Sequence, residues 1–235
     1  AVEERRTPYG RRRQGLCSSY LANLRVGDEV IMWLREGSFT DPGPGFPVIM
    51  VGPGTGVAPM RSIFRERRLN LGHRTLNTAV EAGLPDTLLF FGCRKKQMDY
   101  LYGQEWSSLG LQQHFLESFP EGAESANGRW HEDKGFISNR RQAMTTAFSR
   151  DGPEEQGKTY VMHKMKMHGE LLYELLAKHR AHFFVAGSSK GMPTDVRKAL
   201  CTLVQEHGQC TEDFAERFVK GLEKSGKYKV EAWSS

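Results

Sequence analysis

The chain has 235 residues, 38% hydrophobic and 26% charged, with a net charge of +5. That length allows one large domain, or one domain with part of a second, and the composition excludes disordered and fibrous classes. No apolar run is long enough to span a membrane, the basic N-terminus AVEERRTPYGRRRQ has no apolar centre to serve as a secretory signal, and so modest a positive charge admits anionic cofactors or acidic protein partners without requiring nucleic acid.

Residues 1–45 are expected to form the end of a β-rich unit. RRRQGLCSSYLANLRVGDEVIMWLREGSF has short strand-like pieces around a Val-Gly-Asp-Glu turn. The chain lacks an initiator Met and reads as a piece of a longer one. Residues 46–235 read as a second domain. Three apolar runs there end in a glycine or polar turn and lead into a helical pattern: Pro47–Val51 before a helix over Pro59–Leu69, Thr87–Phe91 before a helix over Asp99–Leu109, and His182–Val185 before a helix over Pro193–His207, with Gly208 as its stop. A strand is expected over Gln142–Phe148. A helix over Thr211–Lys224 is capped by Thr211, with Phe214, Phe218 and Leu222 on one face, and KYKVEAW alternates as a last strand. The strands scarcely alternate in polarity, as in a parallel sheet buried on both sides, so the fold class is α/β, a doubly wound parallel sheet. Leu71–Asp86 and Glu117–Arg141 are polar and long, and read as mobile surface insertions.

The sharpest punctuation is VIMVGPGTGVAPMR, residues 48–61, where a strand-like run stops at a glycine turn that opens a helix. A helix N-terminus attracts phosphate, glycines let backbone approach it, and Thr55 adds a hydroxyl. Val57 stands where the third glycine of a G-x-G-x-x-G fingerprint belongs, and no Gly-Lys-Ser/Thr follows. The turn alone therefore leaves a phosphate contact and a plain connection equally open. In AFSRDGPEEQGKTYV, Ser149, Arg150, Lys158 and Tyr160 offer a hydroxyl, two cations and a phenol that suit a 2′-phosphate and an adenine, against the reading of a solvated loop. In KVEAWSS, Trp233 is either a core anchor or a lid over a flat ring, with Glu231 beside it. GLCSSYL, with Gly15, Leu16, Cys17 and Ser18, suits a pyrophosphate or an ordinary helix start. RRTPYGRRRQ has no aromatic but Tyr9, and a solvated basic loop is preferred over a nucleic-acid patch. Cys17, Cys93, Cys201 and Cys210 form no CxxC pair and read as free thiols in a reducing compartment. His163 and His168 lie five apart, off one helical face, and no metal is expected.

GPGTGVAPMR, FGCRKKQMDYLYGQEW, AFSR then KTYV, FFVAGSSKGMPTDV and the terminal EAWS follow the order and rough spacing of the ferredoxin–NADP reductase superfamily. Within it the chain most resembles the diflavin reductases, over nearly its whole length apart from the two insertions. The resemblance implies an NADPH-binding domain with a C-terminal remnant of an FAD-binding domain. It implies that Gly15, Leu16, Cys17 and Ser18 hold the FAD pyrophosphate and that Thr55 contacts NADPH. Ser149 and Arg150, with Lys158, Thr159, Tyr160, Val161 and Met162, take the 2′-phosphate and adenosine, and Arg94 joins the cofactor-binding set. Asp195 lies at the nicotinamide-nucleotide side. Trp233 stacks on the flavin and Glu231 stabilises charge on the nicotinamide.

GLCSSYLANL and Ala186-Gly187 resemble the cytoplasmic branch that passes electrons through FMN to an anamorsin-type iron–sulfur protein of cytosolic iron–sulfur assembly. Cytochrome P450 reductases, which usually carry Cys at position 186 and Asp at 231, are the alternative, and a non-catalytic nucleotide-binding module is a third. Met162 stands where the family usually has Gln. The flavin-gripping Arg-x-Tyr-Ser motif and the FMN domain, another part of the full-length protein and a partner of this one, are not in the sequence. This stretch by itself is therefore expected to be inactive or weakly active. Neither nucleic acid nor membrane is an expected partner.

Overall fold

The computed structural model describes residues 4–69, 77–108, 141–151 and 158–233. The chain divides into two compact units, residues 1–37 and 38–235. The first holds a hairpin of β1 (Glu4–Arg6) and β2 (Arg12–Gln14), followed by helix α1 (Leu16–Asn23). Of the short strand-like pieces expected in this stretch, none after the Val-Gly-Asp-Glu turn forms a strand, since among the described residues no neighbouring strand offers a ladder there.

The second unit is built on five parallel strands: β3 (Val48–Val51), β4 (Thr87–Cys93), β5 (Gln142–Phe148), β6 (His182–Ser188) and β7 (Tyr228–Trp233), in the order β5-β4-β3-β6-β7. Successive residues of each strand feed opposite cores. Ile49, Val51, Leu88, Phe90, Phe183 and Val185 face one apolar cluster, and Val48, Met50, Leu89, Phe91, Phe184 and Ala186 the other. Both faces are covered along β3, β4 and β6, which is why these strands show no polar alternation, whereas β7 at the edge alternates. The second cluster lies under α2 (Val57–Leu69) and the short α5 (Gly103–Ser108), whose Trp106 is buried. The first lies under α6 (Val161–Met167), α7 (Gly169–Ala177), α8 (Met192–Gly208) and α9 (Glu212–Lys224).

Several boundaries differ from expectation. Helix α2 begins at Val57, and Pro59 falls inside its first turn, where no N–H is needed. The helix expected over Asp99–Leu109 is two pieces, α4 (Lys96–Asp99), which follows the short α3 (Thr78–Glu81), and α5. They are separated where Tyr102 takes a left-handed backbone, φ 60°. Its ring lies 4.4 Å from the Arg61 guanidinium, which Glu105 also binds, at 2.7 Å from Nε. Leu109 lies outside the described residues. Gly208 is the last residue of α8 rather than its stop; Gln209 takes the left-handed position, and Gly208 lets the Tyr173 ring pack close. Thr211 caps α9 as expected, but Phe214 is half exposed, and the buried face runs through Ala215, Val219 and Leu222. Helices α6 and α7 follow Tyr160, in a stretch where the sequence predicts no element.

The two expected insertions are only partly described, 71–76 and 117–140 lying outside the described residues. Their flanks are internal. Asn77 caps α3 (Thr78–Glu81), and Asp86 and Arg141 are buried. At the amino ends of the strands, Asp86 accepts from Arg141 (Nε at 3.0 Å), from the Thr87 hydroxyl at 2.8 Å and from Asn77 at 3.3 Å. Arg67, fully buried at the end of α2, joins the same network through the Thr87 hydroxyl, the Phe46 carbonyl and Asp41.

His168, between α6 and α7, is buried with its ring 6.3 Å from that of Phe90. Burial, and then Lys164, lowers its pKa from 6.5 to about 4. The fold holds it neutral, so its contribution is fully present above the unfolded value and is lost as pH falls toward 4. From His168 alone, unfolding free energy should drop by about 2 kcal/mol between pH 7 and pH 5. Urea titrations at the two pH values check this, and His168→Gln should remove that share of the slope.

Candidate functional site

In a doubly wound sheet, ligands bind outside the carboxyl ends of the strands, where the chain departs from a central strand to opposite sides. Here that point lies between β3 and β6, and the turn Gly52–Gly56 occupies it. Its glycines do different work. A Cβ on Gly56 would lie 1.9 Å from the Ala186 carbonyl oxygen, and one on Gly52 would lie 2.8 Å from the Gly56 oxygen, so both are needed for packing. Gly54 has φ +59° and nothing within 4 Å of its Cβ position, so it faces open space. Thr55 is exposed beside it, and α2 follows with no acidic residue in its first turn, its positive dipole end toward the turn.

The ends of β4 and β5 carry the cations. The ladder runs past the strands, with the Ser149 N–H donating to the Cys93 carbonyl and the Arg150 N–H to the Arg94 carbonyl, both at 2.9 Å. These bonds bring Arg94, Ser149 and Arg150 together although they are far apart in sequence. Both guanidinium groups are exposed, and among the described residues neither has an ion pair. Lys158, Thr159 and Tyr160 precede α6, with Lys158 exposed and Tyr160 at 43% exposure. The Tyr160 N–H donates to Nδ1 of His163 at 3.1 Å, which fixes the entry to α6. Val161 is buried and Met162 packs against the core, so each offers backbone, and Met162 at most part of its side chain, rather than a free side chain.

Gly92, which sequence reasoning passed over, ties these parts together. A Cβ there would meet Val161 at 2.8 Å and Pro53 at 3.3 Å. The turn, the end of β4 and the start of α6 therefore converge on one glycine. The only sequence signal was a glycine closing an apolar run. Cys93 beside it is inert as a nucleophile, since burial, followed by Asp99 and Asp151, pushes its thiol up to about 11.

At the other edge, Gly191 takes a left-handed backbone (φ 79°) before α8, and Asp195 is exposed in the first turn, complementing the helix dipole. Trp233 ends β7, half buried against the cluster that includes Phe184 and Ala186, and its carbonyl accepts from the Ser189 N–H at 2.9 Å. Glu231 is in register with Ala186. Gly15–Ser18 lie in the first unit: Gly15 precedes α1, Leu16 and Cys17 are exposed, and the Ser18 hydroxyl donates to the Gly15 carbonyl at 3.2 Å. Among the described residues no three His, Cys, Asp or Glu side chains gather as metal ligands, and no helix is long and apolar enough to cross a membrane.

A parallel sheet with a glycine turn at its switch point and cations at its carboxyl edge defines a nucleotide-binding domain, and residues 50–152 match the family described as oxidoreductase NAD-binding domain. Over its whole length the chain is 37% identical to NADPH-dependent diflavin oxidoreductase 1 of Danio rerio, covering 33% of that protein. Over 97% of its length it is 39% identical to the protein of that name from Arabidopsis thaliana, covering 32% of it. It is 32% identical to NADPH–cytochrome P450 reductase of Musca domestica, over 97% of the chain and 29% of that protein. Along its whole length the chain thus matches the C-terminal portion of NADPH-dependent diflavin oxidoreductases, with an oxidoreductase NAD-binding domain over residues 50–152. It spans about a third of the length of these relatives.

Proposed function

We propose that this chain binds NADPH across the carboxyl ends of β3, β4, β5 and β6 and presents its nicotinamide to a flavin. The observation that carries the reading is the backbone pairing that sets Arg94 and Arg150 beside Ser149, with both guanidinium groups open to an anion. Two forked cations and a hydroxyl match a ribose 2′-phosphate. The rest of the edge fits the same cofactor. The open face of Gly54 and the N-terminus of α2 suit the pyrophosphate, and Thr55 suits the adjoining ribose. Tyr160 offers an exposed ring to adenine, with Lys158 beside it.

When bound, NADPH supplies a hydride to the flavin. The chain's own residues bind and orient, holding the donor ring in near-attack geometry. Trp233 would cover the flavin and give way to nicotinamide, Glu231 would stabilise positive charge on that ring, and Asp195 would lie on its nucleotide side. Gly15, Leu16, Cys17 and Ser18 hold the FAD pyrophosphate at the start of α1. In the longer protein, electrons pass through FMN to an iron–sulfur protein of cytosolic cluster assembly, of anamorsin type, in the cytoplasm. The identity to the Musca domestica protein favours a second reading, a cytochrome P450 reductase, which would share the same NADPH site.

Titrating NADPH and NADH into the wild type and Arg150→Ala tests the reading. The wild type should prefer NADPH. The variant should lose about 1.5–3 kcal/mol, roughly ten- to hundredfold, for NADPH alone. Equal affinities for the two cofactors in the wild type would overturn it.

A further inference from the structure

The β1–β2 hairpin plays no part in the site above, and its charge is unusual. The pairing register sets Arg6 opposite Arg12 and Arg5 opposite Arg13, with Glu4 opposite Gln14. Like charges placed directly across an antiparallel pair repel, with Cβ atoms about 4.5–5.5 Å apart. Every residue of both strands is exposed, and Glu4 is the only carboxylate in residues 4–14. Among the described residues, none of Arg6, Arg11, Arg12 and Arg13 has an ion pair.

The loop is nonetheless well ordered by its own bonds. The Thr7 N–H donates to the Arg11 carbonyl at 2.8 Å, the Arg11 N–H to the Thr7 hydroxyl at 3.1 Å, and Gly10 turns the chain at φ +76°. The backbone is therefore fixed at the turn, and the register sets one cross-strand arginine pair on each face.

We propose that this hairpin is a docking surface for an acidic polypeptide segment, whose carboxylates lie between the paired guanidinium groups. A carboxylate shared by Arg6 and Arg12 turns a repulsive pair into two charge-assisted hydrogen bonds. An extended segment presents same-side residues about 6.6–6.8 Å apart, the spacing of same-face residues along β1 and β2. Nucleic acid fits less well. Single strands need aromatic platforms between the cations, and the only aromatic here is Tyr9 at the tip. A duplex would meet one face and its few cations, short of the usual run of phosphate contacts.

Fluorescence anisotropy with a labelled Asp/Glu-rich peptide tests the proposal on the whole chain. The peptide should bind at low salt and weaken as salt rises. Arg6→Gln/Arg12→Gln/Arg13→Gln should bind it about tenfold more weakly. A control, Lys220→Gln/Lys224→Gln, removes exposed charge from α9 and should leave binding unchanged. NADPH affinity and circular dichroism should be the same in all three proteins, which separates lost docking from lost folding. No peptide binding by the wild type, equal binding by the triple variant, or an equal loss in the control overturns the proposal. So does tighter binding of a single-stranded RNA of equal charge. Displacement of the peptide by FAD would assign the arginines to the flavin site and overturn it equally.

Discussion

Gly56→Ala should abolish cofactor binding and destabilise the fold by about 3 kcal/mol, the upper part of the range for overpacking. The new methyl would sit 1.9 Å from the Ala186 carbonyl oxygen, 2.5 Å from its carbon and 3.0 Å from the Gly187 Cα. All three are backbone atoms of the interior strand β6, so no side chain can swing away. Either the turn lifts off the sheet, carrying Thr55 and the start of α2 with it, or β3 and β6 move apart. Gly54→Ala is the informative contrast. It adds a methyl into open space at φ +59°, so the fold should lose only about 1–2 kcal/mol from backbone strain. Any loss of NADPH affinity there would report on the face the cofactor approaches. Urea unfolding and NADPH titration of the two variants separate the effects. A Gly56→Ala protein with wild-type stability would mean that the turn does not pack on β6.

The second large effect lies at the opposite end of the sheet. Asp86→Ala should destabilise the protein by about 3–5 kcal/mol, because it leaves the Arg141 guanidinium buried without its counter-charge. In a chain of this size that corresponds to a fall in Tm of about 10 °C. It also removes one acceptor each from the Thr87 hydroxyl and the Asn77 amide, which keep their bonds to Arg67 and to the Pro44 carbonyl. The network joins α3, β4, the residue before β5 and, through Arg67, the end of α2. It stands at the amino ends of the strands, away from the nucleotide-binding edge, so NADPH affinity of the folded protein should be unchanged. Thermal unfolding with a parallel NADPH titration checks both halves. A loss of affinity without a loss of stability would contradict the structural role.

The same polar network shows where sequence reasoning stops. Leu71–Asp86 and Glu117–Arg141 are rich in polar residues and glycine, and stretches of that composition and length are ordinarily surface loops. Asp86 and Arg141 are buried because each satisfies the other, a pairing across 55 residues that no local pattern records. In α6, His163, Lys164 and Lys166 interrupt the apolar spacing, whereas α7 carries a legible stripe, Leu171, Leu172, Leu175 and Leu176, that only lacks a capping signal at its start. Val161 and Met165 are the buried residues of α6, a stripe too short to stand out. The break at Tyr102 was hidden for a related reason: a left-handed tyrosine is held there by Arg61 and Trp106, both remote or non-consecutive in sequence.

By itself the sequence determined the α/β class, the strands of the sheet, helices α8 and α9, and where candidates for a nucleotide site lie along the chain. These depend on short-range chemistry: glycine's backbone freedom, proline's missing donor, and a period of polarity. Only the tertiary structure decided what each glycine of the opening turn is for, since Gly56 answers to Ala186 and Gly54 to open space. Only it joined Arg94 to Arg150, through ladder bonds between strands whose order is not written in either segment. The physical reason is the same in both cases: strand order and close backbone approach arise from packing between distant segments, and a one-dimensional pattern holds no distance between them.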